Sequence, residues 1–276
     1  MGRPEAEVRF ADELRLFLAP RYRRGQVRVG CDGTSSLGHV VESLGVPLTE
    51  VGSLAVNGRP AGPGYRPGGG DVLDVGAVHR PQPLPSARFI LDVHLGTLAR
   101  RLRIAGVDAA YANDLDDDTL IELANAERRV LLTQDRGLLR RRKLWLGAYV
   151  RGGRPDEQFR DVLDRFVPPL APWTRCTACN GLLAPARKAD VQAVLQPGTR
   201  RTYQAFSRCP ACGRVYWHGA HSKRLDAIVD AAQRTVSAAG PAGPAGSAGS
   251  DHPAAAGTAA RQGKTDARLR CCGDLR

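Results

Sequence analysis

The sequence predicts an α/β chain in which a parallel-sheet domain stands between a small β-rich module and a cysteine ribbon. From Arg88 onward, apolar strand-like runs alternate with helical repeats, the pattern of parallel strands covered by helices. Upstream, residues 7–78 hold short apolar runs punctuated by Asn-Gly and Gly-rich turns. Downstream, two Cys-x-x-Cys pairs stand at Cys176/Cys179 and Cys209/Cys212. A length of 276 residues suits about two ordinary domains with a small accessory part.

In the first module, 8–10 and 27–31 have strand-like patterns. Leu37, Val40, Val41 and Leu44 repeat at helical spacing before Gly45, a suitable helix stop. The run 54–56 enters the turn Asn57-Gly58, and a glycine turn at 68–70 precedes a strand at 72–75. Residues 79–87, opening HRPQPLPS, read as a proline-rich linker that forms an extended, semi-rigid spacer.

The second domain is expected over 88–170. Phe89, Ile90 and Leu91 form a buried-strand run, and Leu95, Leu98, Ala99, Leu102 and Ala105 then repeat as a helix up to Gly106. A strand at 107–111 follows, then a helix that Asp117 can cap, carrying Leu120, Ile121 and Ala124. Residues 130–133 read as a third strand and 148–150 as a fourth, before a helix at 156–166 with Phe159, Val162, Leu163 and Phe166 on one face. The ribbon spans 171–225. Residues 236–276, almost only small and polar, cannot bury enough apolar surface to order and read as a disordered tail.

The four cysteines predict one structural zinc, because each pair offers two thiolates around a tight turn and two pairs complete a tetrahedral shell. A redox pair or chance spacing is the alternative. A closed thiolate shell leaves no open position, so such a zinc builds structure. Tyr216 and Trp217 can cover the knuckle as a small core, whereas His221, Lys223 and Arg224 suit the surface. His218 or His221 as a ligand is a minor alternative.

Asp92 directly follows an apolar strand, and Asp135 follows the run 130–133. The carboxyl ends of parallel strands line the crevice of open α/β sheets, so both can face one cavity, and Asp114, Asp116, Asp117 and Asp118 lie between the two strands, at or near a helix start. Three converging carboxylates suit magnesium or manganese, which favour oxygen ligands and activate water against phosphodiesters. Arg100, Arg101, Arg103, Arg136, Arg140, Arg141, Arg142 and Lys143 lie nearby as candidate phosphate contacts. Each group also has a plain reading: Asp117 as helix cap, Asp135 as turn residue, the arginines as a solvated face.

Lys and Arg total 40 against 28 Asp and Glu, a formal charge of +12 that suits a polyanionic partner or reflects an arginine-rich genome. The N-terminus lacks the apolar core of a signal peptide, and no apolar run approaches a membrane span. A soluble, cytoplasmic protein without membrane contact is expected.

The strings FILDVHLGTLARRLRIAG at 89–106, LDDDTLIELA at 115–124 and RRVLLTQDRGLL at 128–139, followed by RCTACNGLL and RCPACGRVYWHGAH, resemble the RNase domain named after the C-terminal part of the Mut-seven exonuclease. The upstream module, with GVPLTEV at 45–51, resembles the ubiquitin-like β-grasp module found ahead of some of these domains. The resemblance implies a PIN-like fold, acidic metal ligands and action on RNA. It matches Asp92, Asp117 and Asp135 to the acidic positions; the sequence shows no clear fourth acid, Asp114 and Asp156 being the candidates for it. Gln134 departs from the pattern, since relatives commonly carry Arg there, and the last β-grasp strand ends in Ala77-Val78-His79-Arg80 without the Gly-Gly tail of sulfur carriers.

The expected function is a metal-dependent ribonuclease. Its aspartates hold magnesium or manganese, and Arg100, Arg101, Arg136, Arg140, Lys223 and Arg224 hold RNA beside the ribbon. The competing class is a non-catalytic RNA-binding or adaptor protein whose β-grasp module recruits a protein partner. A phosphoacceptor domain fits less well, because its paired first-strand acids are missing.

Overall fold

A computed structural model describes residues 4–219 and 222–240. The N-terminal module folds as a five-stranded mixed sheet over one helix. Its elements are β1 (Glu5–Phe10), β2 (Gln26–Gly30), α1 (Leu37–Ser43), β3 (Val51–Val56), β4 (Arg59–Pro60) and β5 (Val72–Ala77), with strand order β2-β1-β5-β3-β4. β1 and β5, the first and last strands, pair in parallel at the centre, which is the β-grasp arrangement. Asn57 and Gly58 take φ of 50° and 77° between β3 and β4, the left-handed values that a two-residue hairpin turn requires. Val8, Phe10, Leu37, Val41 and Leu73 form the core.

The second domain contains β6 (Arg88–Leu91), α2 (Gly96–Ile104), β7 (Asp108–Tyr111), α3 (Asp117–Ala126), β8 (Val130–Thr133), α4 (Arg136–Leu139), β9 (Gly147–Tyr149) and α5 (Pro155–Phe166). Its four strands are all parallel, in the order β7-β6-β8-β9. Successive side chains of a strand point to opposite faces, and the two cores divide accordingly. Phe89, Leu91, Val130 and Leu132 pack with Leu98, Leu102, Phe159 and Leu163 of α2 and α5. Ile90 and Leu131 pack on the other face with Leu120, Ile121 and Leu138 of α3 and α4. Burial on both faces explains the unbroken apolar runs.

The ribbon adds β10 (Ala184–Ala186), α6 (Lys188–Val191), α7 (Pro197–Thr202), β11 (Phe206–Arg208) and β12 (Val215–Tyr216). Then α8 (Ser222–Ala239) returns to the second domain, where Ile228, Ala232 and Val236 join the α2/α5 core. This corrects the tail boundary, because the helix continues past residue 236 and stops before Gly240 at φ 71°. Residues 241–276, including Cys271 and Cys272, lie outside the described residues. No helix among those described is long and apolar enough to cross a membrane.

The linker departs from the expected spacer by docking on α5. Gln82 N–H donates to Arg165 O at 2.6 Å, and Arg80 pairs with Asp161 at 2.6 Å. Arg165 donates to both Glu50 oxygens at 2.9 and 2.8 Å and to Gln82 Oε1 at 2.8 Å, while Tyr149 N–H donates to Glu50 Oε1 at 2.8 Å. Glu50 is 0% and Arg165 1% exposed, so the ion pair is fully buried between the modules. Around it, Phe17 meets the Tyr149 ring edge at 5.0 Å.

Replacing one partner of a buried pair leaves the other charge uncompensated, which costs about 3–5 kcal/mol. Glu50→Gln is expected to lower stability by that order, read as a shifted urea midpoint. A change no larger than that of an exposed pair, about 1 kcal/mol or less, would show that the pair is not what joins the modules.

Candidate functional site

Asp92 directly follows β6 on the carboxyl edge of the sheet and is 8% exposed. Its Oδ1 accepts from Val93 N at 2.6 Å and its Oδ2 from Thr133 Oγ1 at 2.6 Å. Thr133 Oγ1 in turn accepts from Asp135 N at 2.8 Å, so one hydroxyl joins the two strand ends. Asp135 Oδ1 caps α4 by accepting from Gly137 N at 2.6 Å and Leu138 N at 3.4 Å. Asp135 is thus a turn residue and helix cap whose backbone N–H is tied to the same hydroxyl that holds Asp92. Thr133 lay inside the apolar run and was not a candidate in the sequence. Its signal is a lone hydroxyl at the end of a buried strand.

Asp117 is exposed in the first turn of α3. The cap is Asp116, whose carboxylate accepts from Thr119 N at 2.9 Å and Thr119 Oγ1 at 2.7 Å and is held below the usual range by them. Among the described residues, the four cysteines form the group of three or more ligand-type residues whose donor atoms all lie within 4.8 Å of one another. Asp92, Asp117 and Asp135 share an edge but do not close into one ligand shell. Asp114 is exposed, and Asp156 is engaged by Arg101.

The arginines divide by partner. Arg136, expected at RNA, donates to Phe17 O at 2.8 Å and Leu16 O at 2.9 Å and stacks over the Phe17 ring, so it serves the module interface. Arg103 is 2% exposed and holds the ribbon. Arg100, Lys223 and Arg224 are exposed, and Arg224 shares a cavity of about 320 Å³ with Arg101 and Asp156. Gln134 Nε2 donates to Val150 O at 3.0 Å and Gly152 O at 2.8 Å, tying down the chain after β9.

Cys176 and Cys212 sulfurs lie 3.5 Å apart, as do those of Cys179 and Cys209, and all four are free thiols. A tetrahedral zinc with bonds of about 2.3 Å places its sulfurs roughly 3.8 Å apart, so the donor set fits that ion. The backbone bends to allow it: Asn180 and Gly213 take φ of 69° and 75°. A Cβ at Gly181 would sit 3.1 Å from Cys209 Sγ.

Burial opposes ionisation of Cys176, but the Tyr216 hydroxyl and the backbone amides of Cys179 and Ala178 bring its thiol down to about 7. Burial pushes the Cys179 thiol up. Four thiolates in one place would require a cation to offset their charge. Tyr216 Oη lies 3.0 Å from Cys176 Sγ, whereas Trp217 is 40% exposed. His218 packs against Trp173 and stands outside the cluster, and His221 lies outside the described residues.

The ribbon is keyed to the second domain. Arg103 donates to Ala109 O at 2.8 Å and to Thr177 O and Ala178 O at 3.0 and 2.8 Å. Asn180 Oδ1 accepts from Ala109 N at 3.1 Å, and its Nδ2 donates to Asp108 Oδ1 at 2.7 Å. Burial raises the Asp108 carboxyl, but Arg129, Asn180 and Arg175 outweigh it and hold it below the ordinary range.

Fold and site together define a class: a β-grasp module joined to a parallel α/β domain, followed by a ribbon whose four clustered cysteines could hold a metal ion. Residues 87–229 match the model of the Mut7-C RNAse domain and residues 3–82 that of the Mut7-C ubiquitin domain. The chain belongs to the Mut7-C RNAse domain family, with its ubiquitin-like domain in front. This membership points to a nuclease-like or RNA-related role. The chain also resembles a crystal structure of H. volcanii small archaeal modifier protein 1, with 21% identity over 27% of this chain and 97% of that one, at a TM-score of 0.22. No curated protein matches.

Purified protein is expected to hold near one zinc per chain, with Cys179→Ser losing the metal and the ribbon's fold together. A fully folded, metal-free wild type by circular dichroism would refute the zinc assignment. Because Asp108 has a depressed folded value, its stabilisation is present above its unfolded value, about 3.9, and is lost as pH falls through the folded one. The stability gap between wild type and Asp108→Asn should therefore be wide at pH 7 and close below about pH 4, as read by thermal melts.

Proposed function

We propose that the chain is a metal-dependent ribonuclease of PIN-like architecture in which Asp92, Asp117 and Asp135 serve magnesium or manganese. Asp92 carries the reading. A buried carboxylate is costly without compensation, yet Asp92 has two hydrogen bonds and no cationic side chain paired to it among the described residues. The same hydroxyl that orients it reaches the backbone of Asp135.

Magnesium or manganese supplies Lewis acidity toward water and phosphodiester oxygen. Asp92 and Asp135 offer hard oxygen ligands. Since magnesium keeps several waters and takes one or two protein carboxylates, Asp92 and Asp135 would hold the ion and the exposed Asp117 would support it from the edge. Thr133 fixes the Asp92 carboxylate as a positioning residue. Arg100, Arg140, Lys223 and Arg224 supply phosphate contacts, and the zinc ribbon presents RNA with its exposed Trp217 ring as a stacking surface.

The open spacing of the three carboxylates favours a second reading, a non-catalytic RNA-binding protein. Labelled single-stranded and structured RNAs, incubated with zinc-loaded protein with and without manganese, separate the two. Cleavage should need manganese and disappear in Asp92→Asn, while that variant still folds and binds RNA. Manganese should raise the wild-type melting temperature, and Asp135→Asn should abolish the shift. Undiminished, metal-independent cleavage by Asp92→Asn would reject the mechanism.

A further inference from the structure

A groove of about 470 Å³ runs along the junction of the two modules, walled by α1 and the chain after it on one side and by residues 139–144 on the other. Its volume lies within the range of about 300–1,000 Å³ typical of ligand clefts. The second-domain wall presents three successive arginines, Arg140, Arg141 and Arg142, and the β-grasp wall adds His39 and Thr49. Glu42 is the one carboxylate among the lining residues. Neither Arg140 nor Arg142 has a carboxylate partner among the described residues, in contrast to the paired Arg101, Arg129 and Arg165.

Two lining atoms, Arg140 Nε and Thr49 Oγ1, are shielded from solvent and have no hydrogen-bond partner. The groove also adjoins the acidic edge. Arg141 lies 3.9 Å from Asp118, next to Asp117. The helix α4, capped by Asp135, ends just before Arg140, a displacement on the order of 8 Å at helical rise.

We propose that this intermodular groove binds the phosphodiester backbone of a single RNA strand, so that the β-grasp module forms one wall of the RNA path. The proposal rests on the ribonuclease reading and adds a site to it. Arginine forks match phosphate oxygens, and the strand leaves the groove beside Asp117 and Asp135. An acidic peptide would meet the same charges but would have no reason to be led toward those carboxylates.

The test uses full-length zinc-loaded protein and a fluorescein-labelled single-stranded oligouridylate without added magnesium or manganese, followed by anisotropy across a salt series. Arg142→Ala, and Arg140→Ala with Arg142→Ala, are expected to weaken binding about tenfold and to flatten the slope of log affinity against log salt by about one for each arginine removed. His39→Ala should weaken binding from the opposite wall, and Arg142→Lys should restore the slope. Thermal melts identify any variant that fails to fold, and the exposed Arg142 serves where Arg140 does not.

If wild type binds and cleaves RNA while all these variants bind equally well, the groove falls and the ribonuclease reading stands. If wild type neither binds nor cleaves RNA, both fall. Equal, arginine-dependent binding of a polyglutamate peptide would overturn the phosphate assignment.

Discussion

The buried pair of Glu50 and Arg165 organises the molecule. Desolvating two charges is costly, and only full hydrogen bonding offsets it. Here the partners come from four separate stretches: the turn after α1 provides Glu50, α5 provides Arg165, the linker provides Gln82, and β9 provides the Tyr149 amide. No one of these stretches satisfies the pair alone. Their convergence sets the angle between β-grasp module and sheet, and hence the shape of the groove between them.

At the sheet's carboxyl edge the constraint is smaller in scale. A single hydroxyl, Thr133 Oγ1, donates to one acid and accepts from the backbone of the other. The edge is therefore ordered by the fold itself, with Asp117 left free in the first turn of α3.

Legibility followed the range of the interactions. The strands β6 and β8 and the cysteine pairs were readable because their signals are local, an unbroken apolar run in one case and ligand spacing in the other. The cap of α3 was misplaced by one residue because three successive aspartates offer the same chemistry. Arg136 and Arg103 were unreadable as interface residues: an arginine that meets a carbonyl more than seventy positions away has the same sequence signature as one that meets solvent. The linker's proline content reads as a free extended spacer, whereas its docking depends on Arg165, far downstream. In α8 the alanine-rich composition hid the repeat of Ile228, Ala232 and Val236, which becomes apolar surface only against α2 and α5.

The order β7-β6-β8-β9 leaves two outer strands, and an outer strand carries unpaired amides and carbonyls that invite pairing with another chain. Ala109 in β7 has its N–H and C=O taken by Asn180 and Arg103, and the Tyr149 amide in β9 is taken by Glu50. The appended parts thus act as guards against self-association, one on each flank of the sheet. A chain whose ribbon or N-terminal module came undone would bare one flank, and its characteristic failure would be aggregation before loss of the central strands.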